Sequence, residues 1–334
     1  MKSRIQIIAE VGVNHDGKII KAKKLIDVAK KSNADFVKFQ LFKANTLATK
    51  NTKLVNYQKK TNFKSQYDLL KKLEISFKDL TILNSYAKTK KIKLLVTPFD
   101  INSLNQLIKI GIKIIKIPSG EIDNVPLLYQ ASKKAYKVIL STGMSNMKEI
   151  SFALRCLTKY KLKKKNITIL HCTSSYPTKD SDANINCITT IKNKFGLNVG
   201  YSDHTNNYLS GVLAATLGSK IIEKHITLNK KSIGPDHKSS FEPHEFFEYI
   251  KKIRTVEKLL GSSIKKPTKD ELKTKKLVRK SIVAKSIIKK GDVYNIYNIT
   301  CKRPQNGISS KYWNLFLGKK AKRNYKVNQK IDLN

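Results

Sequence analysis

One pattern of apolar and polar positions recurs along the first 225 residues. A short β-branched run is followed by polar residues, then by a stretch with apolar residues three and four apart. The runs IQIIA (5–9), DFVKF (35–39), IKLLV (92–96), IKIIK (112–116), KVIL (137–140), ITIL (167–170), LNVG (197–200) and KIIEK (220–224) predict eight strands. Helical spacing predicts helices over 18–31, 78–90, 101–109, 125–134, 147–160, 184–194, 206–217 and 244–260. Continuously apolar strands suit a parallel sheet covered on both faces. Eight such units over about 260 residues suit a closed (β/α)8 TIM barrel, for which ~250 residues is typical. A doubly wound open sheet is the competing architecture.

Polar, reactive residue types stand at the C-terminal end of nearly every run. They are Glu10, Lys38 and Gln40, Thr97, Lys116 and Ser119, Ser141 and Thr142, His171, Ser202 to His204, and His225. A barrel brings such ends to one mouth, whereas an open sheet strings them along a line, so the succession favours the barrel. Residues 261–278 (GSSIKKPTKDELKTKKLV) combine Gly, Pro, Ser and charge and read as a linker. From 279 the pattern changes to short strands around a KKGD turn, with no long helix. The expected organisation is a barrel over 1–260, a linker over 261–278 and a small β-rich domain over 279–334. A module of about 55 residues is marginal alone and should dock on a partner surface.

Composition alters this picture in one respect. The 334 residues carry 67 Lys+Arg against 24 Asp+Glu, a net charge of +43. Such an excess raises the prospect of nucleic-acid binding. Only Arg4, Arg155, Arg254, Arg279, Arg303 and Arg323 are arginines, however, and the lysines are spread along the whole chain. Base and phosphate readers favour the planar fork of Arg. Diffuse lysine describes a solvated surface, so no nucleic-acid partner is expected. No apolar run approaches the length of a membrane span, and the start MKSRIQIIAE, which meets Glu10 after five mostly apolar positions, is not expected to act as a signal peptide. Cys156, Cys172, Cys187 and Cys301 form no metal or disulfide framework. A soluble cytoplasmic protein with no membrane contact is expected.

Three groups of strand-end residues carry candidate chemistry. His204 and His225 follow neighbouring strands, each beside an acid, and two converging imidazoles can bind a divalent ion at an open site. Lys38 and Lys116, with the hydroxyls of Thr97, Ser119, Ser141 and Ser202 and the glycines Gly120 and Gly143, suit an anion such as a phosphate with a carboxylate. Glu10 and Glu121 can position a proton or a water. In the loop GPDHKSS (234–240), Asp236 could accept hydrogen bonds from a sugar hydroxyl and His237 could stabilise the loop; the sequence leaves that division open.

The segments IAEVGVNHDG (8–17), ADFVKFQLFKA (34–44), VTPFD (96–100), KIPSGEIDNVPLL (116–128), ILSTGM (139–144), LHCTSSYPT (170–178), GYSDHT (200–205), IEKHITL (222–228) and GPDHKSS (234–240) resemble the sialic acid synthase family, the nonulosonic acid synthases. RKSIVAKSIIKKGD (279–292) and KRPQNGIS (302–309) resemble that family's C-terminal antifreeze-like, or SAF, domain. The resemblance runs in order along essentially the whole chain. It implies condensation of phosphoenolpyruvate with an N-acylated mannosamine-type sugar, giving a nine-carbon 2-keto acid and phosphate.

By the same resemblance, His204 and His225 would ligate Mn2+ or Mg2+. Lys38, Thr97, Lys116, Ser119, Ser141 and Ser202 would hold phosphoenolpyruvate. Glu10, Glu121, Tyr176 and Asp236 would face the sugar or the reacting centre. Arg303 would contact the sugar's N-acyl group from the partner chain of a domain-swapped homodimer. Some members carry an Asn, contacting phosphoenolpyruvate, where Ser174 and Ser175 stand here. The stretch YQKK (57–60) with SQYDLLKKLE (65–74) resembles the branch holding N-acetylneuraminate and N,N'-diacetyllegionaminate synthases, and the wording of TSSYP and YSDHT leans to the latter. The competing readings are a related 3-deoxy-keto-acid synthase, which would lack the SAF tail, a nucleic-acid-binding protein, and a non-catalytic carbohydrate-binding paralogue.

Overall fold

The computed structural model describes residues 4–55, 58, 61 and 63–332. The chain divides into two compact units, Met1–Gly261 and Ser262–Asn334. In the first, β1 (Gln6–Gly12), β2 (Phe36–Leu41), β3 (Lys93–Pro98), β4 (Ile114–Ile117), β5 (Lys137–Ser141), β6 (Ile167–His171), β7 (Asn198–Asp203) and β8 (Ile221–His225) close into a barrel in chain order. Every pairing is parallel and β1 returns to β8, which rules out the open sheet. Several strands run further than their apolar runs. The ladder bonds backbone to backbone and does not stop at a polar side chain. Glu10 thus lies in register with both Lys38 and His225.

The two-residue alternation of the strands builds the site. Ile8, Phe36, Leu95, Ile139, Leu170 and Ile221, with Ile114 beside them, fill the barrel interior as one apolar plug. Two residues further along each strand, on the same face, stand Glu10, Lys38, Thr97, Ser141, Cys172, Glu223 and Lys116. Gly200 completes the plug layer on β7, because a Cβ there would lie 2.3 Å from the Ile221 carbonyl oxygen and 2.6 Å from Leu170 Cδ2. Ser202 follows it. A polar layer therefore sits directly on an apolar one.

Outward strand residues such as Ile7, Ala9, Val37, Val96 and Ile115 meet the helices in the main core. Helix starts are set by caps: Ser76 and Asp79 form a capping box at Phe77–Thr89, Asp100 accepts from Ser103 N, and Asn146 with Glu149 caps Met147–Leu157. At the far end of the barrel Arg254 donates to the Ile5 carbonyl and pairs with Asp35, tying the helix Pro243–Leu260 to the first two strands.

Three elements differ from the expected pattern. Helices Ala44–Leu47 and Gln66–Leu73 occupy the long connection after β2, where Leu69 and Leu73 pack with Val13 and Phe42. Both are too short for periodicity to register. Tyr57, Lys59 and Lys60 of the YQKK stretch lie outside the described residues. The segment 261–278, read as a linker, carries the helix Lys269–Val278, started by a Thr268–Glu271 capping box and burying none of its residues. Charge and a lone Pro267 masked a helix that a cap begins and no core holds.

The second unit has its own core of Ile282, Ala284, Ile288, Tyr294, Ile299, Phe316, Ala321, Tyr325 and Ile331. It surrounds the antiparallel pair β9 (Ser281–Ala284) and β10 (Ile299–Lys302). No described helix is long and apolar enough to cross a membrane.

Candidate active site

A cavity of about 840 Å³ opens at the C-terminal ends of the strands. Glu10, Lys38, Thr97, Lys116, Ser119, Glu121, Ser141, Tyr176, Ser202, His204, His225 and Asp236 all line it. Twelve of the thirteen expected site residues are thereby brought together. Arg303 lies in the second unit and is exposed.

Glu223 organises the floor. Its Oε1 accepts from Lys38 Nζ at 2.9 Å, Lys116 Nζ at 3.3 Å and Ser202 Oγ at 2.9 Å. Lys38 Nζ also lies 3.5 Å from Glu10 Oε1. Burial would raise the Glu223 carboxyl, but Lys116, Lys38 and its hydrogen bonds hold it well below the usual range. Lys38 is raised, because Glu10 and Glu223 outweigh its desolvation. Burial lowers Lys116, with Lys38 repelling it. Glu10 is pushed up to about 7, chiefly by burial and against the pull of Lys38. Two lysines thus share one firmly ionised carboxylate. Thr97 Oγ1, Glu10 Oε2 and Glu223 Oε2 are buried with no hydrogen-bond partner among the described residues. Buried polar atoms without partners are costly unless a ligand meets them.

His204 and His225 stand beside this floor, their ring centroids 5.4 Å apart. The Thr173 carbonyl accepts from His204 Nδ1 at 2.7 Å, which makes Nε2 the lone-pair nitrogen, 3.4 Å from Ser202 Oγ. Burial lowers His204 to about 4 and lowers His225 well below its ordinary value, so both are neutral imidazoles near pH 7. His225 Nδ1 has no hydrogen-bond partner and lies 3.7 Å from Asp236 Oδ2. Neutral imidazoles facing one space, one with an unsatisfied nitrogen, fit a divalent cation. No group of three or more His, Cys, Asp or Glu is arranged to hold a metal ion among the described residues, and a cation held by two imidazoles would keep positions for other ligands. Tyr176 covers the pair, 4.3 Å from His204 and 5.8 Å from His225 between ring centroids. Burial raises Asp236 to about 6.

At the opposite rim, Ser119 Oγ accepts from Gly143 N at 2.9 Å and lies 3.3 Å from Cys172 Sγ. A Cβ on Gly143 would come within 2.2 Å of Ser174 Oγ, so the glycine lets three strand ends approach. Glu121 accepts from Asn124 Nδ2 and is raised by burial.

Three strand-end residues turn away from the mouth: Thr142, whose Oγ1 donates to the Leu170 carbonyl at 2.9 Å, His171 and Asp203. His171 stacks on Tyr201 and its Nε2 lies 2.8 Å from the Ala183 carbonyl, because Leu170 before it points inward. Asp203, the acid beside His204, faces outward to Lys224. The acid beside His225 that does face inward is Glu223, which strand-end reasoning passed over. Its signal is present: it stands two residues before His225 and shares its face. Gln40, expected at its strand end, follows the same rule from Lys38, and its Nε2 donates to Glu10 Oε1 at 3.3 Å. An apolar wall of Leu47, Val55, Leu69, Leu70, Leu73 and Phe99, with Gln58 and Gln66, was not foreseen. Most of it comes from the unanticipated connection after β2.

Comparison with known proteins agrees with this arrangement. Residues 25–265 match the NeuB family and residues 279–327 match the SAF domain. The chain is 48% identical to the N,N'-diacetyllegionaminic acid synthase of Campylobacter jejuni, over 97% of this chain and 98% of that protein. It is 42% identical to the protein of the same name from Legionella pneumophila, over 91% and 86%. A crystal structure of N-acetylneuraminic acid (sialic acid) synthetase from Leptospira borgpetersenii, in complex with citrate, is 33% identical with a TM-score of 0.73, covering 82% of this chain and 90% of that one.

Proposed function

The chain belongs to the NeuB family, and we propose that it condenses phosphoenolpyruvate with 2,4-diacetamido-2,4,6-trideoxymannose to give N,N'-diacetyllegionaminate and phosphate. The observation that carries the chemistry is the sharing of Glu223 by Lys38 and Lys116 next to two buried neutral imidazoles. The relatives at 48% and 42% identity support this sugar rather than N-acetylmannosamine.

In this reading Lys38 and Lys116 neutralise the phosphate and carboxylate of phosphoenolpyruvate throughout the reaction. Thr97, Ser119, Ser141 and Ser202 hold it through their hydroxyls, and the unpartnered Thr97 Oγ1 gains an acceptor. His204 and His225 would hold Mn2+ or Mg2+, which would polarise the open-chain sugar aldehyde. Glu10, with its raised carboxyl and free Oε2, holds or releases a proton at the reacting centre. Asp236, Glu121 and Tyr176 bind and orient the sugar. A carbon–carbon bond forms from C3 of phosphoenolpyruvate to the aldehyde carbon. Water then adds at C2, and the C–O bond to phosphate breaks.

The reading includes a homodimer in which Arg303 reaches the sugar's N-acyl group from the other copy. The cytoplasm is its setting, which suits four cysteines that are all free.

The test is phosphate release from phosphoenolpyruvate with Mn2+ and each of N-acetylmannosamine, its 6-phosphate and the diacetamido sugar. Release should be fastest with the last, should stop on chelation and should return with Mn2+. No release with any of the three overturns the reading. In 18O water the label should enter the keto acid, and label in phosphate would refute C–O cleavage. Truncation after Leu260 should abolish synthesis; full activity there removes Arg303 from the site.

A further inference from the structure

Two loops meet behind Asp236, and their contacts have no role in the chemistry above. One, 14–17, follows β1; the other, 234–240, follows β8. Asp236 lines the cavity, but the next residue, His237, does not. His237 is 2% exposed and both its ring nitrogens are engaged. Nε2 lies 2.9 Å from Asp16 Oδ1, and Nδ1 lies 2.7 Å from Thr227 Oγ1. The ring rests on Gly234, where a Cβ would fall 2.6 Å from His237 Cδ2. Asp16 meets it from the left-handed region, at φ 52°, uncommon for a residue with a side chain.

The same two loops are bonded a second time. Asn14 Nδ2 donates to Ser240 Oγ at 2.8 Å, and Ser240 Oγ donates to the Asp236 carbonyl at 2.6 Å. Asp236 thus lines the cavity, its carboxylate also accepting from the Val13 backbone, while His237 turns wholly to the β1 loop.

We propose that Asp16 and His237 form a latch that positions the Asp236 carboxylate for the sugar. Asp236 sits in a loop, where backbone freedom is greatest, and a carboxylate that drifts by an ångström loses much of its effect. The latch pins its neighbouring residue to the first strand's loop, so the carboxylate keeps its place 3.7 Å from His225 Nδ1. Asp16 and His237 are positioning residues, and the inference rests on Asp236 facing the sugar.

Asp16→Ala tests this in the full-length protein loaded with Mn2+. Its kcat/KM for the sugar should fall about 10- to 100-fold, with the KM for phosphoenolpyruvate and Mn2+ affinity by electron paramagnetic resonance within about twofold of wild type. Asp16→Asn should recover most of the loss, because its amide oxygen still accepts from His237 Nε2–H. Hydrogen exchange over 234–240 should quicken in Asp16→Ala and not in Asp16→Asn, whether or not the sugar assignment is right. Unchanged sugar kinetics in an active Asp16→Ala enzyme overturn the latch. So does unchanged exchange in that loop, or a parallel loss of sugar, phosphoenolpyruvate and metal binding with a fall in Tm. An inactive wild type with quickened exchange refutes the reaction and leaves the latch standing.

Discussion

The strands β7 and β8 carry polar residues on both faces, and the two faces behave differently. Outward, Asp203 and Lys224 are paired at 3.0 Å with both side chains fully buried. Asp203 Oδ1 accepts from Thr205 N and Oγ1, and Oδ2 accepts from Ser210 Oγ and Tyr249 Oη at 2.7 and 2.8 Å. Lys224 also donates to the Thr205 carbonyl and lies over the Phe241 ring. Neither residue has an unsatisfied polar atom. Inward, one residue before each, Ser202 and Glu223 join a cluster just as buried, in which Glu10 Oε2, Glu223 Oε2, Thr97 Oγ1 and His225 Nδ1 are left without partners. Burial and charge are thus shared by both networks and identify neither as functional. Completion separates them: a closed network holds the strands, and an open one awaits a ligand.

Substitutions can break that contrast. Lys116→Met should cost the inner network its function, lowering kcat/KM for phosphoenolpyruvate by roughly 10³ with little change in Tm. A large fall in Tm with activity retained would show the inner face to be structural. Asp203→Ala should do the reverse, costing about 3 kcal/mol in urea denaturation because it strands a buried ammonium. The folded fraction should keep its KM for phosphoenolpyruvate, and a loss confined to catalysis would erase the distinction. Gly211→Ala sharpens the comparison with a smaller effect. Its Cβ would meet Tyr249 Oη at 2.1 Å, so it should displace an Asp203 partner and cost about 2 kcal/mol. Unchanged stability would mean that Tyr249 moves freely and is not part of a closed network.

Much of the barrel was legible because each strand holds a short apolar, mostly β-branched run and each major helix keeps its spacing. Polar strand ends were equally legible, and Lys38, Lys116, Thr97, Ser141 and Ser202 all reached the mouth. Choosing among adjacent polar residues was harder. His171 and Asp203 looked as reactive as His204, but composition at a strand end does not say which face a residue takes. Counting by twos from an interior apolar residue does, and it recovers Glu223. The apolar wall was hidden for another reason. The helix Gln66–Leu73 is two turns long, and its apolar residues acquire a role only by packing on Val13 and Phe42 from earlier in the chain.

The amino-acid sequence by itself determined the eight βα units, the separate β-rich tail, and the stock of cations, imidazoles and carboxylates at the strand ends. Those follow from local periodicity and residue type, which a chain carries before it folds. Only the tertiary structure decided that Glu223, not Asp203, joins Lys38 and Lys116, and that His237 turns back to Asp16 and leaves Asp236 in the cavity. Both choices depend on barrel closure, which pairs β1 with β8 and brings together loops more than 200 residues apart in the chain. Strand alternation sorts side chains to one face or the other, but which groups then meet is set by register across the closed sheet.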